Sequence, residues 1–336
     1  MAEKSDKWHH TMCRYLGLNQ GTFFDFGILP GVCREALGRN DYLYTKKGTF
    51  NSDKVYAWSD YHYKRLVDQQ KGVVPYYGTA PFLWELGKIA YAQENTPEFN
   101  ASPAGSLFFL PRDDQCTIRE DEYESVQRII DDIPRPVTFL VPWRSCDIWK
   151  HWDKLDLGDA SSNTLIQMSD PVTRQYTLAN LLLQHEHVYI PWPGTDIYYA
   201  EFLDRQVHVY DDITKYRTKK PHEQERFGST VLLYLKWGYD YLNDIQKEFF
   251  HLTEKWDTLQ QQDRKFLTSK MLGLDVIKSP NVLYKELVEN NFITDGRFGS
   301  PIQSEYENAY IYLKEKIEKT YNSNCSQVVL DLYNKL

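Results

Sequence analysis

Residues 187–210, HVYIPWPGTDIYYAEFLDRQVHVY, decide the fold of this chain. A short β-rich apolar run predicts a strand at 187–190, a proline–glycine turn ends it, and a helix then leads to a second strand at 207–210. Thr195 is predicted to cap the helix and Asp196 to lie in its first turn. Such a unit presents free backbone N–H groups at the helix start, where a phosphate or carboxylate can bind. An ordinary crossover without a ligand explains the pattern equally well.

The helix of this stretch also carries a family resemblance. Residues 194–200, followed by Phe202, Leu203 and Val207, resemble a segment in the C-terminal domain of bacterial surface-polysaccharide glycosyltransferases of the GT-B fold. In that family a Gly-Thr-Ala turn opens a helix with an aromatic-Tyr-Ala run, followed by Gly-Lys-Pro-Val. The resemblance implies that the helix faces a sugar nucleotide, which would be bound by Gly194, Thr195, Asp196 and Tyr199.

The chain departs from the family pattern at three positions. It has Asp196 in place of alanine, Asp204 in place of glycine and Gln206 in place of proline. Asp196 would place a negative charge near the nucleotide phosphate. The three departures favour an alternative, a non-catalytic protein that kept the fold as a scaffold or binding module.

A regular alternation of strands and helices precedes this stretch. Strands are predicted at 106–110, 137–141 and 164–168, and helices at 120–132, 147–154 and 172–184. With 187–190 and 207–210, the five strands are predicted to form one parallel, doubly wound sheet. In such sheets, ligands bind at the edge where the carboxyl ends of the strands lie.

The first hundred residues are predicted to form a shortened α/β domain. Strands are expected at 22–29 and 54–58, and a short strand with a turn is expected at 72–81. Ser59-Asp60 can cap a helix that runs through residue 66. The order strand, Trp-Ser-Asp, helix and Gly-x-x-Pro also resembles the end of the N-terminal domain of the same glycosyltransferases. The polar segment 93–105, with two prolines, is the expected domain boundary.

The pattern becomes helical after residue 212. Apolar residues recur every three or four positions over 231–259, which predicts one long helix whose stripe packs in a core or forms a homo-oligomer. Shorter helices are predicted near 281–289, 303–320 and 326–335. A basic loop at 215–226 is either solvated or contacts an anionic substrate or the surface of a membrane. The predicted domains are an acceptor-side domain (1–98), a Rossmann-like nucleotide-sugar domain (104–212) and a helical C-terminal region (213–336).

Composition excludes several classes of protein. The chain has 336 residues, with 39 Lys and Arg against 47 Asp and Glu, and its net charge of -8 argues against broad nucleic-acid binding. It has no apolar run long enough to span a membrane, and its first residues lack the apolar region of a secretory signal. The 5 cysteines are scattered and are expected to be reduced thiols of a cytoplasmic protein.

The predicted strand ends supply candidates for a donor site. Arg112 follows the first strand of the second domain, and Trp143 and Arg144 follow the second. Two arginines and a helix N-terminus would suit a diphosphate, and a tryptophan, Trp143 or Trp192, could stack on a nucleobase or a sugar. In the alternative, the arginines pair at the surface with Asp113, Asp114 or Asp147.

An inverting sugar transfer needs a base for the acceptor hydroxyl. GT-B enzymes take it from the N-terminal domain, where Asp25, Asp60 and His62 are the candidates; Asp60 could instead cap its helix, and His62 could simply lie on a helix surface. No Asp-x-Asp pair is present to chelate a cation. His185 and His187 share one side of their strand and Glu186 the other, so no metal site is predicted there.

The sequence pattern thus predicts an α/β protein with a Rossmann-like parallel sheet, and the resemblance implies a GT-B-like arrangement of it. The resemblance further implies that the protein moves a sugar from a nucleotide-sugar donor, without a metal or further cofactor, to a glycan or glycolipid acceptor in surface-polysaccharide synthesis. The alternatives are the scaffold or binding protein and a nucleotide-sugar epimerase of the same fold.

Overall fold

The chain is a mixed α/β protein with parallel sheets and many helices. The computed structural model describes residues 7–18, 27–28, 54–60, 63–64, 67, 74–96, 102–110, 120–141, 155–158, 163–167, 171–191, 193–210, 243–293, 304–321 and 324–336. Two compact units divide the chain, and each consists of two segments. Unit 1 comprises Met1–Ala101 and Gln261–Leu330, and unit 2 comprises Ser102–Gln260 and Asp331–Leu336.

The elements of the described residues follow one another in a mixed order. The strands are β1 (Gly27–Ile28), β2 (Lys54–Ala57), β3 (Val74–Tyr77), β4 (Ser106–Phe109), β5 (Val137–Val141), β6 (Asn163–Gln167), β7 (His187–Ile190) and β8 (Gln206–Val209). The helices are α1 (Lys7–Leu16), α2 (Phe82–Glu94), α3 (Glu120–Asp132), α4 (Pro171–Gln184), α5 (Thr195–Phe202), α6 (Asp244–Glu254), α7 (Gln261–Leu272), α8 (Pro280–Glu289), α9 (Ser304–Thr320) and α10 (Gln327–Lys335). Short 3-10 turns lie at Trp256–Thr258 and Leu274–Val276.

Unit 2 is built on a five-stranded sheet in the order β6-β5-β4-β7-β8. Every neighbouring pair is parallel, so the prediction of one parallel sheet from these five segments is confirmed. Apolar runs form these strands because parallel strands are covered on both faces. One core cluster beside β4 and β5 consists of Phe108, Leu110, Val126, Ile130, Ile133, Val137, Phe139 and Leu155.

The connection from α4 to β7 is fixed by side chains that bond to the backbone. The Arg205 guanidinium donates to the carbonyls of Leu182 and Leu183, at 2.8 and 3.0 Å. These carbonyls lie in the last turn of α4, which has no further helical N–H groups to bond them. Arg205, which follows α5 in the chain, therefore caps the C-terminus of α4 with its side chain.

Unit 1 contains the parallel sheet β1-β2-β3. The end of α7 covers the carboxyl ends of β2 and β3, because the Thr79 hydroxyl and the Ala80 N–H donate to the carbonyls of Gly273 and Leu272, at 3.0 and 2.9 Å. Gly273 has a φ of 63°, and a Cβ there would lie 2.6 Å from the Gly78 carbonyl oxygen. Glycine is required at this position because both the conformation and the contact exclude a side chain.

A buried carboxylate links three helices of unit 1. Glu85 on α2 is 1% exposed. Its oxygens form ion pairs with Arg14 of α1 at 2.8 Å and with Lys88 at 3.4 Å, and one of them accepts a hydrogen bond from the Tyr306 hydroxyl of α9 at 2.5 Å. Burying a charge is costly unless partners of this kind surround it. The cluster therefore sets how α1, α2 and α9 pack.

The prediction of one long helix over 231–259 is wrong in its described part. Helix α6 begins at Asp244, because Asn243 has an extended backbone and forms a capping box with Gln246. The helix ends at Glu254, and a 3-10 turn follows that buries Trp256. Residues 231–242 lie outside the described residues, as do the predicted helix at 147–154 and the basic loop at 215–226.

Within the part of the chain that the structure describes, no helix has the length and apolar character needed to span a bilayer. Of the predicted strand at 22–29, only Gly27 and Ile28 lie among the described residues. The predicted domain bounds remain predictions, and residues 261–330 of the predicted helical region belong to unit 1.

Candidate functional site

The strand order of unit 2 creates one point where a ligand site is expected. From edge to edge the sheet contains its third, second, first, fourth and fifth strands, so the order reverses between β4 and β7. Chains leaving the carboxyl ends of two such strands turn to opposite sides and leave a crevice. In this protein the crevice is expected where β4 leads into residue 110 and β7 leads into residue 191.

Tyr210 closes part of this edge. Its N–H donates to the Ile190 carbonyl at 3.0 Å, and its hydroxyl donates to the Phe109 carbonyl at 2.7 Å. Its ring also stacks on Phe108, with centroids 4.6 Å apart. Tyr210 thus joins the ends of β4, β7 and β8.

Helix α5 begins at this edge. The prediction that Thr195 caps the helix is wrong: Gly194 is the N-cap, with φ -147° and ψ -177°, and Thr195 is the first helical residue. Ile197 donates to the Gly194 carbonyl at 3.3 Å, which starts the helical hydrogen bonding one residue earlier than predicted. Gly194 has no side chain to bond the first N–H groups, and Gly194, Thr195 and Asp196 are all half-buried. The arrangement can accept an anion at the helix start.

The rest of α5 is held in the core of unit 2. Tyr198 meets the Trp256 ring edge-on, with centroids 5.5 Å apart, and the Trp256 indole donates to Glu201 at 3.3 Å. Tyr199 is 3% exposed. Burial first, and then the negative charge of Asp196, raise the pKa of the Tyr199 phenol far above its usual range. Tyr199 therefore stays neutral and lies below the surface at the position where the resemblance implies a donor contact.

The C-terminus of α5 explains one departure from the family pattern. Asp204 has a φ of 58°, in the left-handed region where glycine is favoured. Asp204 N–H donates to the Glu201 carbonyl at 2.9 Å, and Arg205 N–H donates to the Ala200 carbonyl at 3.0 Å. This is a Schellman motif, and its left-handed residue is Asp204, where the resembled family has glycine.

One of the three predicted base candidates lies among the described residues. Asp60 follows β2 and forms an ion pair with Lys64 at 2.6 Å. The Ser59 carbonyl accepts the N–H of Tyr63 at 3.0 Å, so Ser59 is the N-cap and Asp60 is the first helical residue. The competing cap role considered for Asp60 therefore belongs to Ser59.

Most other predicted site residues lie outside the described residues. These are Asp25, His62, Arg112, Trp143 and Arg144, together with Trp192 and the acidic residues Asp113, Asp114 and Asp147. Of the predicted set, the structure therefore places Asp60 in unit 1, and in unit 2 it brings Gly194, Thr195, Asp196 and Tyr199 together at the start of α5.

The histidines around β7 have separate partners. His185 is buried between the Leu181 carbonyl, 2.7 Å from Nδ1, and the Thr138 hydroxyl, 2.8 Å from Nε2. Its Nδ1–H must donate to the carbonyl, and in the neutral ring Nε2 accepts from the Thr138 hydroxyl. Burial lowers the pKa of His185, more than its bond to Leu181 raises it. His187 instead contacts His208 on β8, a cross-strand pair that the sequence reasoning missed.

The described part of the chain contains no group of three or more His, Cys, Asp or Glu side chains placed to hold a metal ion. Cys13 and Cys325 are free thiols. Burial raises the pKa of the Cys13 thiol to about 11, so it is neither a good nucleophile nor a good metal ligand at neutral pH.

Comparison with known proteins adds little to this geometry. No protein-family description matches the chain, and no curated protein matches it. Among solved structures, a variant of the wall teichoic acid polymerase TagF is similar to it, with 12% identity over 90% of this chain and 70% of that chain and a TM-score of 0.35. A similarity at this TM-score carries no argument about fold or function.

Proposed function

We propose that the chain is a GT-B-like glycosyltransferase that uses a nucleotide-sugar donor and a glycan or glycolipid acceptor in surface-polysaccharide synthesis. One observation carries the proposal: helix α5 begins, with Gly194 as its N-cap, at the edge of the sheet where the strand order reverses. Ligand sites of doubly wound sheets lie at this place. The resemblance of residues 194–207 to the donor-facing helix of such enzymes supplies the chemical class of the ligand.

The leaving group of the reaction explains why a helix start is suitable. A nucleoside diphosphate gains negative charge as the glycosidic bond breaks, and fixed dipoles or cations must stabilise that charge. The N-terminus of α5 contributes part of a positive charge without a metal ion. Arg112 and Arg144, which follow β4 and β5 in the sequence, are proposed to complete the diphosphate site.

The acceptor hydroxyl needs a base, for which Asp25, Asp60 and His62 are the proposed candidates. The Asp60 carboxylate already pairs with Lys64, with an Oδ2–Nζ distance of 2.6 Å. A base role for Asp60 therefore requires this ion pair to open when the acceptor binds.

Calorimetry in the presence of EDTA tests the donor site. Wild-type protein is titrated with nucleoside diphosphates, with CMP and with nucleotide sugars. Arg144→Ala is expected to weaken binding by about 1.5–3 kcal/mol, the range for a charged hydrogen bond. Arg128→Ala is the control, because Arg128 lies exposed on α3 and pairs only weakly with Glu124, at 3.7 Å. Unchanged affinity of a folded Arg144→Ala variant would remove Arg144 from the site.

A second candidate function is a non-catalytic scaffold or binding protein with the same fold. Asp196 favours it, because this acidic side chain lies in the first turn of α5, where a phosphate would be repelled. The two proposals differ in one measurement. If no nucleotide or nucleotide sugar binds at millimolar concentration, the enzyme proposal fails and the scaffold proposal replaces it.

A further inference from the structure

We propose that His187 on β7 and His208 on β8 form a chelating site for a divalent transition-metal ion such as Zn²⁺. The Nδ1 atom of His187 lies 3.3 Å from the Nε2 atom of His208. The two rings are nearly parallel, with an interplanar angle of 18°. This pair takes no part in the donor site proposed above, so the two proposals can fail independently.

The distance between the two nitrogens suits a tetrahedral ion. Zn–N bonds of about 2.0–2.1 Å at a tetrahedral angle place two ligating nitrogens about 3.3–3.4 Å apart. At this distance the two imidazoles can bind one ion once side-chain rotation turns their facing nitrogens from each other towards it. The ion would take the place of the hydrogen bond that now joins the rings.

The sheet register places both side chains on one face. His208 is paired with Tyr189 across β7 and β8, and His187 lies two residues before Tyr189. Residues two apart in a strand point to the same side, so His187, Tyr189 and His208 share a face. Tyr189 stacks on the His208 ring with centroids 4.6 Å apart. This contact holds the His208 ring against Tyr189, on the face that also carries His187.

Metal binding requires the tautomer of one ring to change. In the contact between Nδ1 of His187 and Nε2 of His208, one of the two nitrogens carries the N–H and the other accepts it. A ligating imidazole nitrogen carries no proton. The N–H that now joins the rings must therefore move to the other nitrogen of its own ring, which faces away from the ion.

The other ligands of the ion would be water, because the described residues place no third His, Cys, Asp or Glu in ligating position. A two-imidazole site of this kind selects Cu²⁺, Ni²⁺ and Zn²⁺ over Mg²⁺ and Ca²⁺, which prefer oxygen ligands. The bound ion would tie β7 to β8, the strands on either side of α5. It is therefore expected to stabilise unit 2.

The test uses the full chain, freed of metal with EDTA and then dialysed. Titration with Zn²⁺ or Ni²⁺ is followed by calorimetry and by the shift in Tm, with Mg²⁺ for comparison. His187→Ala and His208→Ala are each expected to lower the affinity at least about tenfold, which corresponds to 1.4 kcal/mol. His251→Ala is the control, because His251 is exposed on α6 and pairs with Glu254 at 2.9 Å.

The outcomes are distinct. Loss of affinity in both variants with a normal His251→Ala supports the site. Zn²⁺ affinity that is unchanged in either variant, or equally reduced in the control, overturns it. If an alanine variant does not fold, His187→Gln and His208→Gln provide the same comparison. Cu²⁺ electron paramagnetic resonance must in addition report two nitrogen ligands in the wild type and one in each variant.

Discussion

Replacement of Asp196 by asparagine is expected to strengthen nucleotide binding and, at the same time, to weaken helix α5. Asp196 lies in the first turn of α5, one residue after Thr195, and its side chain is half-buried. A phosphate held by the first N–H groups of the helix would lie beside this carboxylate. The substitution removes the charge and keeps the size of the side chain.

The expected gain follows from Coulomb's law. At a separation of about 5 Å, two unit charges repel by about 0.8 kcal/mol at the dielectric of water and by about 3 kcal/mol at a dielectric of about 20. A half-buried group lies between these limits. The Kd of the best-bound nucleoside diphosphate should therefore fall by about fivefold to 150-fold in Asp196→Asn, which corresponds to a gain of about 1–3 kcal/mol in the free energy of binding.

The same carboxylate is favourable to the free helix. A negative charge in the first turn stabilises a helix by about 0.3–1 kcal/mol through its interaction with the helix dipole. The free energy of unfolding of Asp196→Asn should fall by that amount in urea titrations. Opposite signs for binding and stability distinguish a local charge effect from general loosening of unit 2, which would lower both.

Calorimetry at two salt concentrations measures the binding effect. The difference between Asp196→Asn and wild type should shrink from about 0.15 M to about 1 M salt, because the Debye length falls from about 8 to about 3 Å. Glu124→Gln, on the exposed surface of α3, is the control and should change neither affinity nor stability by more than about 0.5 kcal/mol. Equal or weaker nucleotide affinity in a folded Asp196→Asn variant would refute the placement of the phosphate at the start of α5.

Three further substitutions test the structure by urea denaturation. Asp204→Gly should raise the free energy of unfolding by about 0.5–1 kcal/mol, because glycine adopts the left-handed conformation of this position without the strain of a side chain. Asn291→Gly, at the matching position after α8 with a φ of 57°, should raise the free energy of unfolding by less. A lower free energy of unfolding in Asp204→Gly would contradict the argument. The pKa of His185 is lowered in the folded state, so its neutral ring contributes stability above pH 6.5, the ordinary pKa of histidine, and this stability is lost as the pH falls towards the folded-state pKa. The wild type should therefore lose more stability than His185→Gln between about pH 7.5 and pH 5.5. Equal losses in the two proteins would exclude this role. Tyr306→Phe should cost about 1.5–3 kcal/mol, because it removes a donor to the buried Glu85 carboxylate; a change below about 0.5 kcal/mol would show that the other donors suffice.

The sheet of unit 2 could be predicted from the sequence because its strands are short apolar runs between helices. The predicted segments 137–141 and 187–190 coincide with β5 and β7, and the helix predicted at 120–132 coincides with α3. Burial on both faces of a parallel sheet leaves a strong signal of this kind. Once the strands were correct, the position of α5 at the carboxyl edge followed from general rules of α/β folds.

Helices α2 and α7 were missed because their buried faces contain charged residues. Glu85 on α2 is buried, as are Asp263 and Lys265 on α7. Asp263 accepts from the N–H and hydroxyl of Ser326, at 2.6 and 3.0 Å, and Lys265 lies 5.3 Å from the ring centroid of Tyr321. A search for an apolar stripe cannot find such a helix, because the residues that make the burial of its charged side chains favourable are distant in the sequence.

The details of the candidate site depend on backbone geometry that residue types do not determine. Whether Gly194 or Thr195 caps α5 is decided by where the helical hydrogen bonds begin, and both residue types are accepted at that position. The proximity of His187 and His208 depends on the register between β7 and β8. A shift of one residue in that register would have placed the two rings on opposite faces.

The division of unit 1 into two segments has a consequence for synthesis of the protein on the ribosome. All five strands of the unit 2 sheet lie between residues 102 and 260. By contrast, the partner of Glu85 at Tyr306 is synthesised 221 residues after it. At about 5–20 residues per second, that interval lasts about 10–45 s. During this time, the side of α2 that carries Trp84 and Glu85, both buried in the folded protein, lacks its partners. Nascent chains should therefore be most accessible to chaperones at α2. The sheet of unit 2 can form before unit 1 is complete.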